Sequence, residues 1–334
     1  MRNDPANRDR LALFDKMVRM RRFEEAVIRV AQENPYVGRQ HLHIGHEATG
    51  AAVAQAMQSG DRIASTHRNH GYLIACGGDP SRALAEILGR ADGFSGGKAG
   101  SWHLCDAAAG FLSTSAMVGG SVALAVGAAF GLKRRGAGNI AFAHFGDGTL
   151  DEGICYETMN LASVYELPVV FVCENNSKAG QRPSSMLAAK SLRHIPDALQ
   201  IPTMIVDGAD ADRAARVFAE AAGQVRATSR PVFVESTLER WPGSHQIEPV
   251  FTTGVTDLSH AYDETLVSGK HAEWVKRNDP VLRYARRLVE EGAASKAELA
   301  ELDGAASREM EAARTFAIAS PYPDTTSAFA GTFA

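Results

Sequence analysis

The stretch AHFGDGTLDEG, residues 143–153, ends an apolar run in a glycine-flanked aspartate and passes at once into a helix-like segment. Gly146-Asp147-Gly148 suits a tight turn of no further consequence, since Asp and Gly are ordinary turn residues. It equally suits the floor of a phosphate and metal site. The flanking sequence decides what the turn connects. NIAFAHF (139–145) reads as a strand, residues 149–165 as a helix, and LPVVFVCE (167–174) as a second strand. A parallel βαβ unit brings both strand ends to one edge of the sheet, with neighbouring strands about 4.8 Å apart. Asp147, just beyond the first strand, and Asn176, just beyond the second, then reach a common cation from adjacent loops. Open α/β sheets bind ligands at this carboxyl edge. A carboxylate and an amide oxygen are hard donors that fit magnesium or calcium. Gly146 and Gly148 let a phosphate approach the backbone, and the N-terminus of helix 149–165 offers N–H groups and a partial positive charge. Either loop alone is a weak signal; the meeting of the two is the argument.

The same alternation extends outward. GSVALAVGAAFGLKRR (120–135) reads as a buried helix, TMIVDG (203–208) and RPVFVES (230–236) as strands, and DADRAARVFAEAAGQVRA (210–227) as the helix between them. The fold class is therefore α/β, a parallel sheet with helices on both faces. Helices are also expected at 45–57 and 79–90. Leu13, Met17, Met20, Val27 and Val30 recur at helical spacing in an N-terminal helical arm, about 9–35, and a helical tail spans about 279–318. Residues 91–120 are rich in glycine and small side chains with weak periodicity, as expected of a functional loop. No internal repeat divides the chain, so residues 1–334 are expected to form a single domain.

Composition narrows the function. A chain with 45% hydrophobic and 22% charged residues has the make-up of a globular protein with a large core. A net charge of −4 with no dominant basic segment argues against nucleic acid as a partner. No apolar run reaches the roughly 18 residues of a membrane span, and the start lacks a secretory h-region. Cys76, Cys105, Cys155 and Cys173 are scattered, which fits reduced thiols in a cytoplasmic protein rather than disulfides or a zinc ribbon. Two nucleotide motifs fail on spacing. GFSGGKAGS has no glycine five residues before Gly97, so it is not a P-loop, and GDGTLDEG is not GxGxxG.

GDG, then 26 residues, then NN is the thiamine-diphosphate binding pattern, and its surroundings resemble the α subunits of the 2-oxo acid dehydrogenase and acetoin dehydrogenase family. The likeness covers most of the chain: FEE (23–25), HLHIGHEA (41–48), STHRNHG (65–71), KAGSWHL (98–104), GFLSTSAMVGGSVALAVGAA (110–129) and YETMNLASVYELPVVFVCENN (156–176) occur in family order. The resemblance implies a thiamine-diphosphate-binding fold, with Asp147, Asn176 and the carbonyl of Lys178 as ligands of an Mg²⁺ that bridges the diphosphate. It implies Arg68 and Arg240 as diphosphate contacts, Gly148 and Thr149 as backbone donors, and the backbone of Ala116 and Val118 around the aminopyrimidine. His41, His67 and His70 correspond to positions at the entrance or in the cofactor pocket; a structural histidine satisfied in the core is the competing reading for each. The family usually has glycine where Ala116 stands. The family histidine of the Arg-x-x-Gly-His segment falls on Ser244 in an ungapped match, or on His245 with one residue inserted.

By the same resemblance, the glutamate that activates thiamine belongs to a β subunit carrying the pyrimidine-binding domain, so the chain is expected to work as an α₂β₂ assembly on a small-molecule substrate. Its acyl product would pass to lipoyl-lysine of an acyltransferase. A split carboligase using a small aldehyde, ketone or sugar acceptor is the alternative, and a non-catalytic subunit is a more distant one.

Overall fold

The computed structural model describes residues 5–34, 38, 40–176, 191–241 and 256–330. Six strands form one all-parallel sheet: β1 (Arg62–Thr66), β2 (Phe111–Ser115), β3 (Ala141–Gly146), β4 (Val169–Asn175), β5 (Thr203–Asp207) and β6 (Val232–Thr237). Their order is β2-β1-β3-β4-β6-β5. The expected βαβ neighbours are neighbours: β3 pairs directly with β4, with Phe142 opposite Val170 and Gly146 opposite Glu174. Eleven α-helices occur among the described residues. They are α1 (Pro5–Glu33), α2 (Glu47–Ala56), α3 (His70–Ala75), α4 (Pro80–Ile87), α5 (Gly120–Arg135), α6 (Gly153–Val164), α7 (His194–Ala198), α8 (Ala211–Thr228), α9 (Ala272–Arg277), α10 (Pro280–Glu290) and α11 (Lys296–Ala319).

Strand alternation sorts the core into two faces. Ala141, Ala143 and Phe145 of β3 and Val169, Phe171 and Cys173 of β4 pack with Val122, Val126 and Met159 of α5 and α6. Phe142, Val170 and Val172 point the other way, into a core that includes Phe23, Val53 and Phe218 of α1, α2 and α8. Sequences buried on both faces read as continuous apolar runs, which is why β3, β4 and β6 are recognisable from composition. A third cluster joins Leu13, Phe14 and Met17 of α1 to Val281, Leu282 and Leu288 of α10 and Leu299 of α11. α1 is thus anchored in the core, and its buried Arg21 bonds both Glu47 of α2 and Asp279, the N-cap of α10, at 2.6 and 2.8 Å.

Two local readings differ from expectation. The helix after Gly146 does not start at 149: Asp147–Asp151 is a 3₁₀ turn closed by Glu152 N–H donating to the Thr149 carbonyl, and α6 begins at Gly153. The segment 91–120 is not all loop, since it contains the edge strand β2. No described helix is long and apolar enough to cross a membrane.

Candidate functional site

Five of the six strands deliver residues from their carboxyl ends to one place. His67 and Arg68 follow β1, Met117 and Val118 follow β2, Asp147, Gly148 and Thr149 follow β3, Asn176 follows β4 and Arg240 follows β6. All of them, with Gly146 at the end of β3, line a single cavity of about 220 Å³. The 3₁₀ turn sets Gly148 with nothing within 4 Å of where its Cβ would stand, so the backbone there faces open space. Arg240 is placed by the loop before α2. Trp241 N–H donates to the Ile44 carbonyl, and a Cβ on Gly45, whose φ is +97°, would stand 2.9 Å from the Arg240 Cα. Only glycine allows that approach.

The charges fit an anion. Burial and the neighbouring Arg240 guanidinium lower the Arg68 pKa to about 10. Arg240 is also lowered by burial, with Asp147 opposing. Arg68 donates to the Leu42 carbonyl, while the Arg240 side chain makes no hydrogen bond among the described residues. Two buried guanidiniums beside a backbone turn form a cradle that a diphosphate relieves. Asp147 and Asn176 at its rim supply oxygen donors of the kind a hard divalent cation takes.

The cavity floor is a polar network on the α2 side of the sheet. Glu174 accepts from His46 Nδ1 at 2.6 Å, His144 Nε2 at 2.9 Å and the Tyr72 hydroxyl at 2.8 Å, and His144 Nδ1 meets the Ser65 hydroxyl at 2.7 Å. Burial opposes charge on Glu174, but these donors hold its carboxyl well below the ordinary range. At the entrance the His41 ring lies 4.4 Å from that of His67 and 5.5 Å from that of Trp102. Burial first, then neighbouring cations, lowers His41 to about 3 and His67 to about 4, so both are neutral near pH 7.

Of the residues singled out from the sequence, the structure brings Arg68, His67, Val118, Gly146, Asp147, Gly148, Thr149, Asn176 and Arg240 together. Ala116 sits between the lining residues Ser115 and Met117 without lining the cavity itself. His41 does not line the cavity but packs against His67, which does. His70 is fully buried off the lining, with Nδ1 3.1 Å from Glu24 and Nε2 2.8 Å from the Ser101 hydroxyl. Lys178, Ser244 and His245 lie outside the described residues. Sequence reasoning missed His46, His144 and Glu174 as lining residues. The available signal was the alternation itself: His144 follows Phe142 and Glu174 follows Val172 on the same face of the sheet.

The dehydrogenase E1 component family matches residues 15–326. The chain is 33% identical over 314 residues to the α subunit of acetoin:2,6-dichlorophenolindophenol oxidoreductase from Bacillus subtilis (strain 168), covering 94% of this chain and 90% of that one. It is 30% identical over 321 residues to the pyruvate dehydrogenase E1 component subunit alpha of Rickettsia felis, covering 96% and 94%. The corresponding subunit of Zymomonas mobilis is 32% identical over 315 residues, covering 94% and 85%. Similarity over nearly the whole length, on a parallel sheet whose carboxyl edge carries the GDG and NN loops, shows that the chain belongs to the dehydrogenase E1 component family, as an α subunit of the thiamine-diphosphate-dependent 2-oxo acid and acetoin dehydrogenase type.

Proposed function

We propose that this α subunit grips the diphosphate of thiamine diphosphate between Arg68, Arg240 and the backbone N–H groups of Gly148 and Thr149. Mg²⁺ would be held by Asp147, Asn176 and the carbonyl of Lys178. The observation that carries the proposal is the convergence of both arginines, the GDG turn and Asn176 on one cavity from separate strand ends. When bound, thiamine diphosphate supplies a nucleophilic thiazolium carbon that attacks a carbonyl and accepts the electron pair released on cleavage. The protein's part is placement. Glu174, held ionised beneath the cavity, fixes the His46 and His144 rings. His41 carries a buried Nδ1 with no partner among the described residues. With a pKa of about 3 it is a weak base at neutral pH, so it acts by hydrogen bonding and packing at the entrance.

A β subunit would complete the site with the pyrimidine-binding domain and the activating glutamate. The surface suits such a cover: Met117 and Val118 at the cavity rim are 73% and 46% exposed, and the exposed apolar residues Leu124, Phe130, Ile154 and Val164 continue along α5 and α6. The acceptor is proposed to be lipoyl-lysine of an acyltransferase. A carboligase is less favoured, because the relatives named above are dehydrogenase and oxidoreductase subunits. The test is reconstitution with the β subunit and a panel of 2-oxo acids and acetoin, comparing a lipoyl domain with small aldehydes as acceptors. Acylated lipoyl domain is the expected product; acyloin with no acyl-lipoyl would overturn the acceptor assignment.

A further inference from the structure

Glu24 is a fully buried carboxylate in α1 that lies outside the cavity lining. Each of its oxygens holds a different segment. Oε1 accepts the His43 backbone N–H at 2.9 Å, and Oε2 lies 3.1 Å from His70 Nδ1. A carboxylate can only accept, so His70 Nδ1 donates. His43 stands on the segment leading into α2, and His70 is the first residue of α3. Arg68 lies between the two. Its guanidinium donates to the Leu42 carbonyl, and its own carbonyl accepts from His43 Nδ1 at 3.2 Å. The residues that bond Arg68 and the residue two positions after it are thus fixed to one carboxylate.

The support behind that carboxylate is firm. Phe23, Ala26 and Val27 on either side of Glu24 are fully buried in the core, and the Phe23 ring meets the His70 ring edge-on at 5.8 Å. A Cβ on Gly71 would collide with the His43 ring and the Met20 side chain, so glycine lets the first turn of α3 sit directly against the His43 segment. Charge acts in the same sense: burial and Arg240 lower the Arg68 pKa, while the Glu174 and Glu24 carboxylates oppose that fall.

We propose that Glu24 is a positioning residue of the diphosphate site, touching no cofactor itself and setting Arg68 by clamping both segments that hold it. The inference rests on the Arg68 grip proposed above. An arginine loses much rotamer freedom when it is ordered, and a guanidinium held in place beforehand spares the cofactor that cost.

The test is calorimetric titration of the full-length chain in complex with its β subunit by thiamine diphosphate in excess Mg²⁺. The proteins compared are the wild type, Glu24→Ala, Glu24→Gln, Arg68→Met and the double variant Glu24→Ala/Arg68→Met. Glu24→Ala should weaken binding about tenfold. Glu24→Gln should stay within about threefold of wild type, because an amide oxygen still accepts from His43 and an amide N–H can donate to the other tautomer of His70. Added to Arg68→Met, Glu24→Ala should cost less than about twofold more, since a residue that acts through Arg68 then has nothing left to place. No loss in Glu24→Ala, an equal loss on both backgrounds, or Glu24→Gln as weak as Glu24→Ala would overturn the proposal. Failure of Arg68→Met to weaken binding would instead overturn the grip on which it rests. Should Glu24→Ala fail to fold, His70→Leu, which releases only the α3 clamp, takes its place in the same cycle: a loss confined to the Arg68 background supports the proposal, and an equal loss on both overturns it.

Discussion

Asp147 is the single carboxylate among the proposed ligands of the rim cation, and its side chain is also the opposite charge nearest to Arg240 in effect. A charge-assisted contact of this kind contributes about 1.5–3 kcal/mol. Asp147→Ala is therefore expected to lower Mg²⁺-dependent affinity for thiamine diphosphate roughly 10- to 100-fold, measured by calorimetry. Arg240→Met removes a guanidinium that has no hydrogen bond to lose among the described residues, so it should weaken the cofactor by a similar factor and leave the unliganded fold intact. A large loss of stability in that variant would show Arg240 to be structural instead. At this scale the sequence was informative where a residue stands at a strand's end. Asp147 and Asn176 follow recognisable apolar runs, so their meeting could be deduced. His46 and Arg240 are placed by loops, through the approach of Gly45 to the Arg240 backbone, and nothing in local sequence spacing encodes that distance.

Among the elements, the glycine-rich stretch after α4 shows how a misleading motif arises. GFSGGKAGS looks built to wrap an anion, and it does wrap one, but the anion belongs to the chain. The buried Glu86 carboxylate accepts from the backbone N–H groups of Ser95, Gly97, Ala99 and Gly100 at 2.6–3.2 Å. That arrangement positions Ser101 against His70 and Trp102 against His41. Glu86→Ala leaves four donors without their acceptor and is expected to cost about 2–4 kcal/mol, read as a fall in thermal midpoint together with new proteolytic cleavage between 93 and 104. Glu86→Gln, which keeps an acceptor oxygen, should recover part of the loss; equal loss in both variants would mean that burial, not the hydrogen-bond set, matters. Helix α5 was legible to the residue because a long small-residue helix ends at Gly136 in the left-handed region. β1 and β2 were not, since five-residue strands rich in serine and threonine, RIAST and FLSTS, resemble loops until their partners are known.

For the molecule as a whole, buried histidines set the response to acid. Burial lowers His41 to about 3 and His67 to about 4, from an ordinary 6.5, and also lowers His43 and His46. The unfolded chain binds protons at these groups below about 6.5 while the folded chain does not, so stability is complete above that pH and is lost as pH falls toward 4. Each group contributes a slope of up to about 1.4 kcal/mol per pH unit. Asp15 and Glu47, both raised by burial, oppose this only within the carboxylate range. The thermal midpoint should drop steadily between pH 6.5 and 4.5; a flat profile would mean that these rings are protonated or solvated in the folded protein. The α/β class and the carboxyl-edge location were legible because parallel strands buried on both faces leave continuous apolar runs with chemistry at their ends. The polar floor was not, because its histidines and Glu174 interrupt those runs.

The most direct measurement is calorimetric titration of the complex with its β subunit by thiamine diphosphate, with and without Mg²⁺, for wild type and Asp147→Ala. Saturable binding that requires Mg²⁺ and is weakened roughly 10- to 100-fold in the variant is the predicted result. Equal binding with and without the cation, or in the variant, would contradict the placement of the cofactor diphosphate at the β3–β4 edge.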